Sequence, residues 1–249
     1  MIDWLHQLEE EKEITILFAC EAGSRAWGMD SATSDHDIRF IFRYKDLRRY
    51  LSINEPTEVI ERSSPYDTVG WDIKKALGLL KKSNPSLYEW AFSPVIYFNH
   101  DDFAKKLQFF ILESYSRYAL FYHYQSLCLR NLKEVKGKVP FHHKRQKQLI
   151  HGLRSYLLAR ELVKSNDIDL TKLLNLGAVY TDEIGRLYEE MVEARRNQVL
   201  FSERQVNDII LLVEGECQGL LENSSTLSKG KDISQELNTW LWEILEVLK

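Results

Sequence analysis

Residues 14–44 read ITILFACEAGSRAWGMDSATSDHDIRFIFRY, and the order of apolar runs and breaks within them decides how the chain begins to fold. Ile14 to Ala19 is a short β-branched and apolar run and Ile38 to Phe42 is a second, so both read as buried strands. Gly23, Gly28 and the polar stretch Asp30 to Ser34 separate them. That leaves room for a turn and about one or two turns of helix around Arg25 to Trp27.

Working outward, a third strand candidate runs from Val59 to Trp71, interrupted by Ser63-Ser64-Pro65. It passes into a helix over Ile73 to Lys82, where Ile73, Leu77 and Leu80 recur at helical spacing. After Asn84-Pro85 the pattern is helical. Phe103, Leu107, Phe110, Ile111, Tyr115, Tyr118 and Tyr122 mark one long amphipathic helix, and Leu149, Leu153, Tyr156, Leu157 and Val163 mark another. Further helical stretches run from Thr181 to Asn197, Glu203 to Leu221 and Gln235 to Val247, with Asn223 to Asp232 as a Ser-, Gly- and Lys-rich connection. The expected fold class is α+β, with a mixed-sheet domain over residues 1–102 and a helical bundle over 103–249.

A chain of 249 residues with 44% hydrophobic, 28% charged and 12% aromatic residues can bury a core, which excludes disordered, collagenous and disulfide-scaffold classes. A net charge of −4 argues against a surface that grips nucleic acid everywhere, although a local basic patch remains compatible with it. No apolar run approaches the roughly 18 residues of a membrane span, and the opening Met-Ile-Asp-Trp-Leu-His lacks the order of a signal peptide. A cytoplasmic location with no membrane partner is therefore expected. Cys20, Cys128 and Cys217 are widely spaced and read as buried thiols rather than as a disulfide or zinc framework.

The chemistry-bearing segments are Gly23-Ser24-Arg25-Ala26-Trp27-Gly28 and Ser34-Asp35-His36-Asp37-Ile38-Arg39. Alternate side chains of a strand share a face, so Asp35 and Asp37 would project together. Two carboxylates so close repel one another, and a divalent cation between them relieves that repulsion. Hard oxygen ligands suit Mg²⁺ or Mn²⁺, which complete their shells with substrate phosphates. Gly23 lets the backbone approach a phosphate, and the amides and hydroxyl around Ser24 can donate to it.

The succession of strand, Gly-Ser, short helix, Asp-x-Asp and strand resembles the signature of the DNA polymerase β-like nucleotidyltransferase superfamily. The segment from Asp67 through Lys75 to Asn84-Pro85 and Glu89 is similar to the region after the third strand in one branch of it. That branch includes RNA-repair members encoded beside RNA ligases. The resemblance implies a third carboxylate from a neighbouring strand, Asp67 or alternatively Asp72. It implies two Mg²⁺ or Mn²⁺ ions, an NTP such as ATP, and transfer of a nucleoside monophosphate to a hydroxyl acceptor, an RNA end, with release of pyrophosphate. Gly23 and Ser24 would hold the β and γ phosphates.

Lys147, His151 and Arg154 stand at i, i+4 and i+7 on one helix face, opposite Leu149, Leu153 and Tyr156. That face is either solvated or, as in the related branch, turned to the triphosphate. Arg39 and Lys75 are further phosphate candidates, Arg39 being equally explained by pairing with the nearby acids. The basic stretch Lys133, Lys136, Lys138, His142, His143, Lys144, Arg145 and Lys147 is a candidate RNA contact or a solvated loop. The alternatives are nucleotidyl transfer to a small molecule or protein, and a non-catalytic nucleotide- or RNA-binding module. The clustered acids argue against the second. The oligomeric state stays open, and exposed aromatics among Tyr115, Tyr118 and Tyr122 would suit a dimer.

Overall fold

The computed structural model describes residues 1–30, 34–138, 140–164 and 182–247. The chain packs as two compact units. The first comprises Met1–Ala26, Asp35–Tyr115 and Lys231–Lys249, and the second Trp27–Ser34 and Ser116–Gly230. A partition at 102/103 follows the change in composition along the chain, whereas the division by packing lies at 115/116 and returns the last helix to the first unit.

In the first unit, α1 (Ile2–Lys12) leads through a left-handed Glu13 (φ 53°) into β1 (Ile14–Glu21). β2 (Asp37–Tyr44), β3 (Val59–Arg62), β4 (Asp67–Asp72) and β5 (Ile96–Asn99) complete a mixed sheet in the order β3-β4-β2-β1-β5. β2 and β4 run parallel, and the other neighbours run antiparallel. The sheet and its flanking helices make the fold α+β, as expected. The single interrupted strand expected over Val59 to Trp71 is corrected to two antiparallel strands, because Ser63-Ser64-Pro65 lies in the bend between them.

One sheet face carries Ile14, Ile16, Ala19, Ile38, Phe40, Phe42 and Tyr44, which form a core with Leu5 and Leu8 of α1. Leu5 and Leu8 are each 1% exposed, and burying them contributes roughly 2 kcal/mol apiece. Gly70 belongs to this face because the Phe40 ring occupies the place of a side chain there: a Cβ would sit 2.1 Å from it. A register shift between Ile16 and Phe18 changes the parity of β1, so Ala19 and Glu21 join the face of Ile14 and Ile16.

α3 (Ile73–Lys81) turns its apolar Ile73, Ala76, Leu77 and Leu80 inward. α4 (Pro85–Ala91) is started by Asn84, which accepts from the Leu87 amide, and by proline in the first turn. The one long helix expected from Phe103 to Tyr122 is corrected to α5 (Phe103–Ser114) and α6 (Arg117–Val135). Tyr115 leaves helical geometry (ψ 142°), and the Ser116 hydroxyl caps α6 by accepting from the Ala119 amide at 3.1 Å. Trp240 packs on Phe103 and Phe110 at ring separations of 4.9 and 5.2 Å, which explains why the last helix belongs with the sheet.

The second unit is helical: α6, α7 (His143–Lys164), α8 (Glu183–Arg196) and α9 (Glu203–Glu222), with α10 (Ser234–Ile244) being the helix returned to the first unit. α6, α8 and α9 all pack against α7, so its residues 149–160 are buried or nearly so on every side. Thr181, at the expected start of α8, lies outside the described residues, as do 31–33 of the polar stretch after α2. All three cysteines are buried thiols, as their spacing suggests. Among the described residues, no helix is long and apolar enough to cross a membrane.

Candidate active site

The end of β1 and the beginnings of β2 and β4 lie at the same edge of the sheet. Glu21 pairs with Ile38, and Asp37 stands in register with Asp67. Immediately after β1, the chain turns at Gly23 (φ 61°) into the short α2 (Gly23–Ala26). The Ala22 amide donates to the Asp37 carbonyl at 2.7 Å, which ties this turn to the start of β2.

Strand parity sorts the acids. Asp37 and Arg39 share a face with Asp67, while Ile38, Phe40 and Phe42 share the opposite face with Thr68, Gly70 and Asp72. Arg39 donates to the Asp67 carbonyl at 3.1 Å, and its guanidinium lies 3.4 Å from Asp37 Oδ1 and 3.5 Å from Asp67 Oδ1. One cation thus already serves two neighbouring carboxylates. Gly23 is pressed against the same group, for a Cβ there would lie 1.9 Å from Asp37 Oδ2. Ser24 is buried beside it.

Asp35 precedes β2 and is exposed, and its carbonyl accepts from Arg25 Nε at 3.3 Å. The parity argument therefore applies to Asp37 and not to Asp35. Among the described residues, no three His, Cys, Asp or Glu side chains are gathered tightly enough to enclose a metal ion. The donor set nevertheless fits a hard cation in two respects: its atoms are carboxylate oxygens, and a positive group, Arg39, occupies the space between Asp37 and Asp67.

Asp72 is directed elsewhere. It is 2% exposed, caps α3 by accepting from the Lys74 amide at 2.9 Å, and accepts from the Tyr50 hydroxyl at 2.5 Å. Burial pushes both the Asp72 carboxyl and the Tyr50 phenol above their ordinary values. Asp72→Ala is expected to cost about 2 kcal/mol, through a lost cap and a stranded Tyr50 hydroxyl. A lower urea midpoint with unchanged Mn²⁺ affinity is the expected result. Lys75 lies beyond the far end of β4, where its ammonium pairs with Glu58 at 3.1 Å, so the structure does not bring it to the aspartates.

In the second unit, Lys147 is exposed, but Arg154 is 6% exposed and its guanidinium lies over the Trp27 ring at 4.9 Å. The face is thus not simply solvated. Arg196 donates to the Gly28 carbonyl at 2.5 Å, so the residues after α2 meet two arginines. Burial, reinforced by Arg154, Lys147 and Arg195, pushes the His151 imidazole down from 6.5 to about 4. The unfolded chain therefore takes up this proton first as the pH falls. The stability that His151 contributes is complete above about 6.5 and is lost towards pH 4, by up to about 3 kcal/mol. His151→Gln should flatten the fall in urea midpoint between pH 7 and pH 5. Of the basic stretch, Lys136 pairs with Glu214 at 2.6 Å and Lys138 with Glu134 at 2.8 Å.

Sequence reading missed Glu21, which is 1% exposed and accepts from the Asp37 amide at 2.7 Å. The available signal was an acid closing an otherwise apolar strand directly before Ala22-Gly23-Ser24.

A solved nucleotidyltransferase-like protein from Exiguobacterium sibiricum 255-15 matches all of this chain and 81% of its own, with a TM-score of 0.31 and 12% identity. "Uncharacterized protein YcgL" of Bacillus subtilis (strain 168) is 33% identical over 254 residues, covering 99% of this chain and 95% of that protein. The family RlaP, described as the RNA repair pathway DNA polymerase beta family, matches residues 1–243. With nearly its whole length matched, the chain belongs to that polymerase β-like nucleotidyltransferase family of the RNA repair pathway.

Proposed function

We propose that the protein transfers a nucleoside monophosphate from an NTP to a hydroxyl acceptor, an RNA end, and releases pyrophosphate. The observation that carries this reading is the register pair Asp37 and Asp67 at the starts of two parallel strands, bridged by Arg39 and abutted by Gly23. Membership of an RNA-repair family supports RNA as acceptor.

Asp37, Asp67 and the adjacent Asp35 would hold Mg²⁺ or Mn²⁺. The facing of Asp72 towards Tyr50 supports Asp67 as the third carboxylate. When bound, two such ions supply Lewis acidity at the α-phosphate and lower the pKa of the attacking hydroxyl. Gly23 and Ser24 offer backbone amides and a hydroxyl to the outer phosphates, and Arg39 adds positive charge beside them. Within the second unit, Lys147, His151 and Arg154 would be the candidate phosphate-binding residues. With its pKa at about 4, His151 would act as a neutral hydrogen-bonding partner at neutral pH.

The test is incubation with each α-labelled NTP, Mg²⁺ and total RNA. Label entering RNA, matched by pyrophosphate release and abolished by Asp35→Ala, is the expected result. Label on protein or on a small molecule would overturn the RNA acceptor, and no transfer to any acceptor would overturn the reaction.

A further inference from the structure

The carboxylate of Glu21 is surrounded by donors. Oε1 accepts from the Asp37 amide at 2.7 Å; Oε2 accepts from the Tyr97 hydroxyl at 2.5 Å and lies 2.6 Å from His36 Nδ1. The Glu21 backbone is held as well, its amide donating to the Val95 carbonyl at 2.9 Å and its carbonyl accepting from the Ser93 hydroxyl at 2.6 Å. β5 and the residues before it therefore fix this glutamate from one side, and it fixes the His36-Asp37 peptide on the other.

We infer that Glu21 is a positioning residue that sets Asp37, and through His36 the whole Asp35-His36-Asp37 turn, for metal binding. The inference rests on the reading of these aspartates as metal ligands. A buried acid at the end of an apolar strand is costly unless its oxygens are satisfied, and here two of its partners belong to the turn that carries the aspartates. The register shift near Leu17 gives this arrangement its reach, since without it the parity of β1 would place residue 21 on the other face. The backbone amide of Asp37 is the hinge of that residue, so anchoring it limits how far the carboxylate can wander from Asp67. Glutamine has the same shape, but it would present an amide donor to at least one of the donors now facing the carboxylate.

Mn²⁺ binding to the nucleotide-free protein, read by electron paramagnetic resonance, separates the possibilities, with the urea midpoint and the split between kcat and KM measured alongside. Glu21→Gln is expected to weaken Mn²⁺ binding by about 10- to 100-fold and to lower kcat, with KM for the NTP changed less than about threefold. Should Glu21→Gln not fold, Tyr97→Phe removes one donor to Oε2 and is expected to weaken Mn²⁺ several-fold. Wild-type Mn²⁺ affinity in folded Glu21→Gln, or in Tyr97→Phe where only that variant folds, would overturn the role of Glu21. Mn²⁺ binding that ignores Asp37→Ala would instead overturn the metal reading beneath it.

Discussion

Asp37→Ala is expected to lower kcat for the proposed nucleotidyl transfer by about 10³-fold or more, because it removes a carboxylate that would hold the metal ions, a loss of several kcal/mol at about 1.4 kcal/mol per tenfold. The fold should tolerate the change. The Asp37 side chain is 23% exposed, and the contacts that join the strand, from its amide to Glu21 and from its carbonyl to Ala22, belong to the backbone. A urea midpoint within about 0.5 kcal/mol of wild type is therefore anticipated. Asp37→Asn keeps the shape against Gly23 and discards the charge, so an equally severe loss of turnover would assign the effect to charge. Pyrophosphate release measured beside urea unfolding checks both halves.

Gly23→Ala should damage stability and activity together. A Cβ at this position would lie 1.9 Å from Asp37 Oδ2 and 2.8 Å from its Cγ, so the carboxylate or the turn must move. The backbone φ of 61° adds the left-handed penalty of about 1–2 kcal/mol for a residue with a Cβ. We expect about 2 kcal/mol of destabilisation and a loss in kcat of at least about 10²-fold, since displacement of Asp37 by an ångström is enough for that. Gly28→Ala is the comparison: its φ is 65°, but a Cβ there would meet Arg196 at an ordinary 3.6 Å. That variant should show the backbone penalty in its urea midpoint while keeping most of its turnover.

The elements nearest the chemistry were legible because their residues obey simple periods. Ile38 to Phe42 is apolar and β-branched over a buried strand, and Gly23 marks a turn that admits no side chain. Asp67 and Asp72 could have been separated by parity, because positions five apart on one strand face opposite ways; what concealed this was the merging of β3 and β4 across Ser63-Ser64-Pro65. For Asp35 the parity argument has no purchase, since β2 begins at Asp37 and strand alternation does not reach back to it. β5 is four residues long with Ile96 44% exposed, too short and too open to give an apolar run. The face of Arg154 stayed open between solvent and triphosphate under a rule that grants a helix one buried face, and α7 is packed by several neighbours. The role of Glu21 depends on a register shift that no periodic reading contains.

The most direct test is diffraction at the manganese absorption edge from crystals of the protein soaked with Mn²⁺ and a non-hydrolysable NTP. An anomalous peak bonded to the Asp37 carboxylate and to Asp35 or Asp67, with the nucleotide phosphates beside Gly23 and Ser24, is the predicted result. Manganese and nucleotide bound away from Asp37, or no manganese at these aspartates with the nucleotide in place, would contradict it.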